Sequence, residues 1–527
     1  MMKRLVFAGV CALLASSSSR AQAQGFQDTG DRIRAHQDPN DFSVDLHGYF
    51  RGRAEILSNL DLDRGPTPSG QLLFAVPIDD PNGQNLYQAD MRLRTDLSIY
   101  APGGAVAVHT RIDVLDNLTL GSTPDDIPSA TIGQRTLDNA LHVRRAWAEV
   151  LTPFGLLTVG RQANTWGLGL IANGGDCLDC DSGDVADRIA FATPLFGHIW
   201  AVAFDTSATG PLGRRASGFR PVDLSPTDDV RTITFAWMQR HTDEARRRRH
   251  NAGRTTFEYG AYLSYRWQEN DAPASYLPTS VPVGLNAAQF VPRGLTAVAA
   301  DVWLRVESRD VRVEFEGALL YSNIAQTTLV PGVLLRDAVS AMQLGAALET
   351  DFFLHNPVSF GFDTGIASGD SAPGFGAFPQ ALQPSPVPGD LDGAQATLPY
   401  DTTVDNFRFH SDYRIDRILF REIIGRVTDA FYFRPHLRWR IFDEPFGALT
   451  MSAYGVASFA VQSSSTPSGE SPLGIEVDPS LVYETHEGFT AALEYAALFP
   501  LGGLDNPALG LTAKPAQLLR LRLQLVY

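Results

Sequence analysis

The last nine residues of the chain, Leu519–Tyr527, constrain the fold more than any other stretch. Side chains on a β-strand alternate between its two faces, so this segment has one apolar face and one polar face. The apolar face consists of Leu519, Leu521, Leu523, Leu525 and Tyr527, and the polar face of Arg520, Arg522 and Gln524. A strand of this kind lies between hydrocarbon and water.

The same alternation recurs along the chain. Ser43–Ser58 alternates apolar with charged residues, a second strand begins near Tyr87, and a tight turn at 101–104 leads into a third. Short turns then alternate with long polar loops, and we count about 18 strands, an even number that returns the chain to its starting side. The sequence therefore predicts a single-domain all-β fold, a transmembrane antiparallel β-barrel over residues 43–527, with short periplasmic turns and long external loops.

A soluble β-sandwich or a propeller would also contain alternating strands. Aromatic residues near the strand ends, such as Tyr259, Tyr321 and Trp439, favour a barrel, because they would form girdles at the two membrane interfaces. A propeller would repeat at the length of one blade, and no such repeat is visible.

The first residues predict export. Lys3 and Arg4 precede an apolar run that leads to a cleavage-type triplet at 21–23. We therefore expect a signal peptide at 1–23, a periplasmic segment at 24–42, and a location in the outer membrane of a Gram-negative bacterium, in contact with membrane lipid and lipopolysaccharide. The net charge of -16, without an extended basic surface, argues against a nucleic-acid binder.

Two segments resemble known outer-membrane barrels. Leu519–Tyr527, which ends on an aromatic residue, resembles the C-terminal assembly signal of these barrels, and this resemblance implies a contact with the barrel-assembly machinery. The strand that ends at 160–162 resembles the general porins, and with Trp166 and Asp187 it is similar to barrels of the alginate-export type. Strict alternation puts Arg161 on the apolar face, so only a bulge at Gly160 would turn it inward.

A closer resemblance is to an uncharacterised family of predicted outer-membrane proteins from myxobacteria and their relatives. It is carried by Trp166–Leu170, Gly175–Asp184 and Phe407–Gly425. It implies the barrel fold but no established activity, whereas the similarity to alginate-export barrels implies an anionic or sugar-like solute.

Sorting charged residues by strand face predicts two opposite walls inside the barrel. The basic wall comprises Arg51, Arg53, Arg92, Arg94, Arg111, Arg434, Arg438, Arg440, Arg520 and Arg522, and the acidic wall Glu258, Asp301, Glu307, Glu314, Glu316, Glu349, Asp351 and Asp363. A barrel of about 18 strands is too wide for its side chains to fill. We expect these charges to line a channel and set a transverse field across it. The alternative is that they pair into a polar plug.

The segment 370–428 is too long for a passive connection. Its second half has Ile415, Ile418 and Ile423 at near-helical spacing, interleaved with Arg414 and Arg421. We expect a short amphipathic helix that either enters the pore as a constriction or caps the barrel rim.

The segment 176–184 contains two cysteines among four carboxylates. Cys177 and Cys180 are candidates for a disulfide in an oxidising compartment. Asp176, Asp179, Asp181 and Asp184 offer oxygen ligands that suit Ca²⁺, although their spacing is not that of an EF-hand. No other cofactor is expected.

The sequence predicts a porin-like channel for passive or selective diffusion of small polar solutes. No serine, histidine or aspartate lies in a recognisable nucleophile motif, so we expect no enzyme. Two alternatives are a structural or adhesion barrel with a plugged lumen, and a membrane hydrolase whose nucleophile and base would converge on one rim.

Overall fold

The computed structural model describes residues 41–79, 84–120, 141–210, 212–214, 221–223, 225–272, 290–353, 357–378 and 385–527. The expected signal peptide and nearly all of the segment 24–42 lie outside the described residues. Within them, strands dominate and helix is sparse.

Twenty strands are present in the described residues. They are β1 (Ser43–Ser58), β2 (Asn85–Tyr100), β3 (Val106–Thr119), β4 (Leu141–Thr152), β5 (Gly155–Ala163), β6 (Val185–Leu195), β7 (His198–Ser207), β8 (Leu212–Arg214), β9 (Pro221–Asp223), β10 (Val230–Gln239), β11 (Thr256–Gln268), β12 (Leu295–Glu307), β13 (Val311–Ile324), β14 (Val339–Phe353), β15 (Val358–Ala367), β16 (Ala430–Glu444), β17 (Gly447–Ala460), β18 (Pro472–Glu484), β19 (Phe489–Pro500) and β20 (Ala516–Val526).

The sheet is a closed antiparallel barrel of 18 strands. Each barrel strand pairs with the next along the chain, and β8 and β9 form a separate hairpin in the connection between β7 and β10. The barrel closes where β1 pairs with β20, and the backbone amides of Gly48 and Tyr527 each donate to the other's carbonyl at 3.0 Å. The predicted strand number and antiparallel closure are confirmed.

The connection between β10 and β11 contains the helix α1 (Asp243–Asn251). Thr242 caps it by accepting a hydrogen bond from the Ala245 amide at 3.1 Å, and acidic residues in its first turn and basic residues in its last turn suit the helix dipole. No helix in the described part of the chain is long and apolar enough to cross a membrane.

The outer face of the barrel is apolar and its inner face is charged. On β20 the side chain of Leu521 is 44% exposed on the outside, whereas its neighbour Arg520, which points inward, is 1% exposed. Aromatic rings lie on the outer face as expected, including Tyr321, Phe431 and Trp439. This arrangement suits a barrel surrounded by lipid.

Arg161 lies on the outer face. The pairing of β5 with β4 and β6 is continuous through Gly160, so the bulge needed to turn Arg161 inward is absent. Two hydrogen bonds of 2.8 and 2.7 Å join its guanidinium to Asp187 on β6. Arg161 therefore belongs to the outer surface, near the long-loop end of the barrel.

The main apolar core of the described residues lies inside the barrel. It includes Phe407, Phe409, Ile418 and Leu419 from the connection between β15 and β16, packed against inward residues such as Tyr432. A loop thus supplies much of the core, because the interior of an 18-stranded barrel is too wide for strand side chains alone.

Candidate functional site: the barrel lumen

Two loops enter the lumen and meet there. The disulfide loop (residues 164–184) connects β5 to β6, and the long loop (residues 368–429, described at 368–378 and 385–429) connects β15 to β16. The His410 amide donates to the Leu170 carbonyl at 2.8 Å, and the Asp181 amide donates to the Asp412 carboxylate at 3.1 Å. The two loops therefore form one assembly inside the barrel.

The disulfide loop crosses the lumen. At its start, the Trp166 indole donates to Asp301 on β12 at 2.8 Å. Glu316 on β13 accepts from the Gly169 and Leu170 amides at 3.0 and 3.2 Å. Gly167 has a φ of +54°, and a Cβ there would lie 2.5 Å from a Glu316 oxygen, so this close turn requires glycine. Asp301 and Glu316 thus serve as loop anchors.

The tip of the disulfide loop lies among arginines. The Asp181 carboxylate accepts from Arg51, Arg53 and Arg414 at 2.8, 3.0 and 2.9 Å. Asp179 accepts from Arg421 at 2.8 Å, and also from Arg53 and Arg520. These charge-assisted bonds compensate the desolvation of both partners.

The backbone of the same tip also binds arginines. Arg92 donates to the Cys180 carbonyl at 2.7 Å, Arg51 to the Leu178 carbonyl at 3.1 Å, and Arg94 to the Gly175 carbonyl at 3.0 Å. A disulfide joins Cys177 to Cys180. Of the predicted basic wall, Arg51, Arg53, Arg92, Arg94, Arg111 and Arg520 contact this loop directly.

The arginines keep the loop carboxylates ionised. Burial alone would raise the pKa of Asp179, but Arg421, Arg520 and Arg414 outweigh it and hold that pKa well below its usual range. The pKa of Asp181 is lowered in the same way by Arg414, Arg53 and Arg51, against the effect of burial. The tip therefore carries full negative charge at neutral pH.

Arg111 and Arg145 bind Asp176, the latter at 2.9 Å. Asp184 lies apart, with its carboxylate 3.5 Å from His410. Calcium requires several oxygens around one point, whereas Asp176, Asp179 and Asp181 each face guanidinium groups. The arrangement of these carboxylates does not fit the calcium site proposed from the sequence.

The remaining members of the predicted basic wall lie elsewhere. Arg522 binds Glu494 on β19 at 3.1 Å. On β16, Arg434 binds Asp363 at 2.6 Å, Arg438 is exposed on the inner face, and Arg440 binds Asp443 at 2.8 Å near a short turn. The arginines of β16 therefore do not extend the cluster around the disulfide loop.

The predicted acidic wall is also paired. Arg312 binds Glu314, Glu349 and Asp351. Glu258 accepts from the His241 amide at 2.8 Å and lies 3.4 Å from Arg246 of α1, while Glu307 binds Arg305. Most of the named charges therefore have a counter-charge close by, and the transverse field expected between the two walls stays a prediction.

The second half of the long loop lies in the lumen but is not an amphipathic α-helix. Its helical part is one π-helical turn, Leu419–Ile423. Glu476 on β18 accepts from the backbone amides of residues 417–419 at 2.8–3.0 Å. The backbone amides are satisfied by a strand carboxylate, so a longer helix is not needed.

Two residues of the lumen assembly were missed from the sequence, and the contact made by a third was not foreseen. Arg312 shares a strand face with Glu314, so alternation could have found it. Arg145 lies on the same face of β4 as Glu149, so alternation could also have found it. Trp166 had no such signal, because its partner Asp301 is 135 positions away and the contact exists only once the barrel has closed.

The closed 18-stranded sheet, its apolar exterior and its charged interior define a transmembrane β-barrel of the outer-membrane type. No protein-family model and no curated protein matches the chain. The resemblances to myxobacterial and alginate-export families therefore remain predictions.

Solved outer-membrane proteins are similar in fold. The outer-membrane protein OpdK from Pseudomonas aeruginosa matches with 10% identity and a TM-score of 0.44, over 92% of this chain and 98% of that one. The outer-membrane channel DcaP of Acinetobacter baumannii matches with 11% identity and a TM-score of 0.39, over 93% and 99%. Identity and TM-score at these levels say nothing about the solute or the activity of this chain.

Proposed function

We propose that this protein is an outer-membrane channel for small polar solutes, anionic or sugar-like, in which the two inward loops form the constriction. The observation that carries the proposal is the assembly of charged loop tips held across an 18-stranded lumen. A polar interior of this width is typical of channel-forming barrels.

The charged tip is partly exposed inside the lumen, which supports a solute path beside it. The side chains of Asp179 and Asp181 retain 22% and 25% exposure, although the arginines behind them are nearly buried. Arg438 offers an exposed guanidinium on the inner face towards the short-turn end. Solutes with hydroxyl or carboxylate groups can hydrogen-bond to such a lining.

A plugged structural or adhesion barrel is the second candidate. The dense ion pairing across the lumen favours it, because every link between the loops and the wall restricts passage. Catalysis receives no support from the lumen carboxylates described above, which serve as loop anchors or ion-pair partners.

The test is the single-channel conductance of the refolded full-length chain in a planar bilayer, with ion selectivity measured from the reversal potential in a salt gradient. We expect stable open steps. In the double variant Asp179→Asn, Asp181→Asn, freed guanidinium groups should shift the selectivity towards anions. Asp187→Asn removes a carboxylate from the outer face and should leave both quantities unchanged.

A folded wild-type barrel that never conducts would contradict the channel proposal. If the double variant conducts and the wild type does not, the plugged barrel is favoured. Swelling of liposomes in isotonic sugars or organic anions would then identify the solute class that passes.

A further inference from the structure

Three carboxylates converge at the long-loop end of the barrel, outside the lumen assembly. Asp223 ends β9, and Asp228 and Asp229 directly precede β10. One oxygen from each lies within 4.8 Å of the others. Like charges at such distances repel strongly unless a proton or a cation neutralises them.

Asp228 is the residue that singles this cluster out. Its side chain is fully buried, and among the described residues neither of its carboxylate oxygens has a hydrogen-bond partner. An Asp229 oxygen is likewise buried without a described partner. Buried carboxylates are normally hydrogen-bonded or paired, so oxygens without a described partner point to a ligand.

Among the described side chains, no guanidinium or ammonium group binds the Asp228 carboxylate. Asp271, on the next connection, is bound by Arg293, and the Arg231 guanidinium donates to the Pro226 carbonyl. The Asp228 carboxylate packs over Gly210, where φ is +75° and a Cβ would lie 2.2 Å from its oxygen.

We propose that Asp223, Asp228 and Asp229 bind one calcium ion at the long-loop rim of the barrel. Oxygens bound to one Ca²⁺ at about 2.4 Å lie at most about 4.8 Å apart, so the observed spacing is compatible with a shared ion. Three carboxylates supply up to six oxygens, and water completes the shell. Mg²⁺ tolerates so many carboxylates poorly because it keeps most of its own water.

The ion would tie the β8–β9 hairpin to the start of β10, and through it to the barrel wall. The backbone on either side is already held in place, since the Asp228 carbonyl accepts from Gln268 at 2.7 Å and the Asp223 carboxylate accepts from the Ser225 amide at 2.9 Å. This site is independent of the proposed channel function.

The experiment is a calorimetric titration of chelator-stripped, refolded full-length protein with Ca²⁺ alone, and separately with Mg²⁺. We expect one saturable calcium site per chain and weaker magnesium binding. Asp228→Asn should weaken calcium binding at least about tenfold, since changes even outside the direct ligands cost 10–100-fold. Glu269→Gln, which removes an exposed carboxylate from the adjacent connection, should bind calcium as the wild type does.

Asp229→Asn serves as a second variant, in case Asp228→Asn does not fold, with folding checked by the electrophoretic mobility of the unboiled barrel. Absence of saturable calcium binding in the wild type would overturn the proposal. Unchanged binding in a folded Asp228→Asn or Asp229→Asn variant, or a preference for Mg²⁺, would also overturn it.

Discussion

The disulfide loop and the long loop fill the same lumen by different physical means. The tip of the disulfide loop places Asp179 and Asp181 among arginines. The long loop buries Phe407, Phe409 and Ile418 in an apolar core. The comparison teaches that a barrel interior can hold a loop either by charge pairing or by ordinary hydrophobic packing.

The pKa values of the carboxyl groups also differ between the two loops. Arginines lower the pKa values of Asp179 and Asp181 against the effect of burial. In the long loop, burial raises the pKa of Asp429 to about 7, and burial together with Glu476 raises that of Asp416 well above its usual range. Asp416 and Asp429 of the long loop therefore favour the neutral carboxyl form, whereas Asp179 and Asp181 of the disulfide loop favour the ionised form.

The largest expected effect on stability follows the removal of a buried aromatic ring from the long loop. Phe409 is fully buried and packs edge-on against Phe407 and Tyr413. Phe409→Ala should destabilise the packed loop by about 3–5 kcal/mol, measured as faster amide hydrogen exchange across residues 405–428. Phe446→Ala, at an exposed short turn, is the control, and equal exchange in the two variants would contradict this packing.

The next effect tests the link between the loops. Arg414 binds Asp181 and Asp412, so it joins both loops, whereas Arg417 binds Glu494 on a strand. Arg414→Gln should cost about 3 kcal/mol, at the low end for a broken buried ion pair, and should speed hydrogen exchange in both loops. Arg417→Gln should speed hydrogen exchange only in the long loop. If Arg414→Gln also speeds exchange in one loop only, the two loops are uncoupled.

A change of pH should separate the loops. An acid whose pKa is raised on folding contributes stability that is present below its unfolded pKa and is lost as pH rises through the folded value. Asp429, with a folded pKa of about 7, should make the long loop less stable as pH rises from about 4 to about 7. Asp179 and Asp181, with lowered pKa values, contribute stability that is lost only below that window.

Hydrogen exchange at both ends of this pH range, corrected for intrinsic rates, measures this difference. Asp429→Asn preserves the shape of the side chain and should reduce the pH dependence of the long loop. A pH response of equal size in the two loops would refute the assigned difference in charge state.

The smallest effect is expected at the edge of the disulfide loop. Asp184 is 43% exposed and contacts His410 at 3.5 Å. Asp184→Asn should change loop stability by less than about 0.5 kcal/mol, as is usual for exposed pairs. The hydrogen exchange of this variant should match that of the wild type. An increase in exchange as large as that of Arg414→Gln would mean that the tip is not the main contact that holds the disulfide loop in the lumen.

Much of the fold could be predicted from strand alternation. The pattern predicted 18 strands, the closed antiparallel sheet and the outward position of Arg161 if no bulge intervened. It also placed residues such as Arg51 and Glu316 on the inner face. The structure differs from the expectations in the loops: the helix in the long loop is one π-helical turn, and the disulfide-loop carboxylates that were expected to bind calcium face arginines.

The sequence by itself determined which side of each strand faces lipid, because the pleat alternates side chains whatever the partners are. Only the tertiary structure decided what the inward charges do. Arg51 meets Asp181 across 130 positions of sequence, and Trp166 meets Asp301 across 135. Such contacts depend on the diameter of the closed barrel and on the path of two aperiodic loops, which no local pattern encodes.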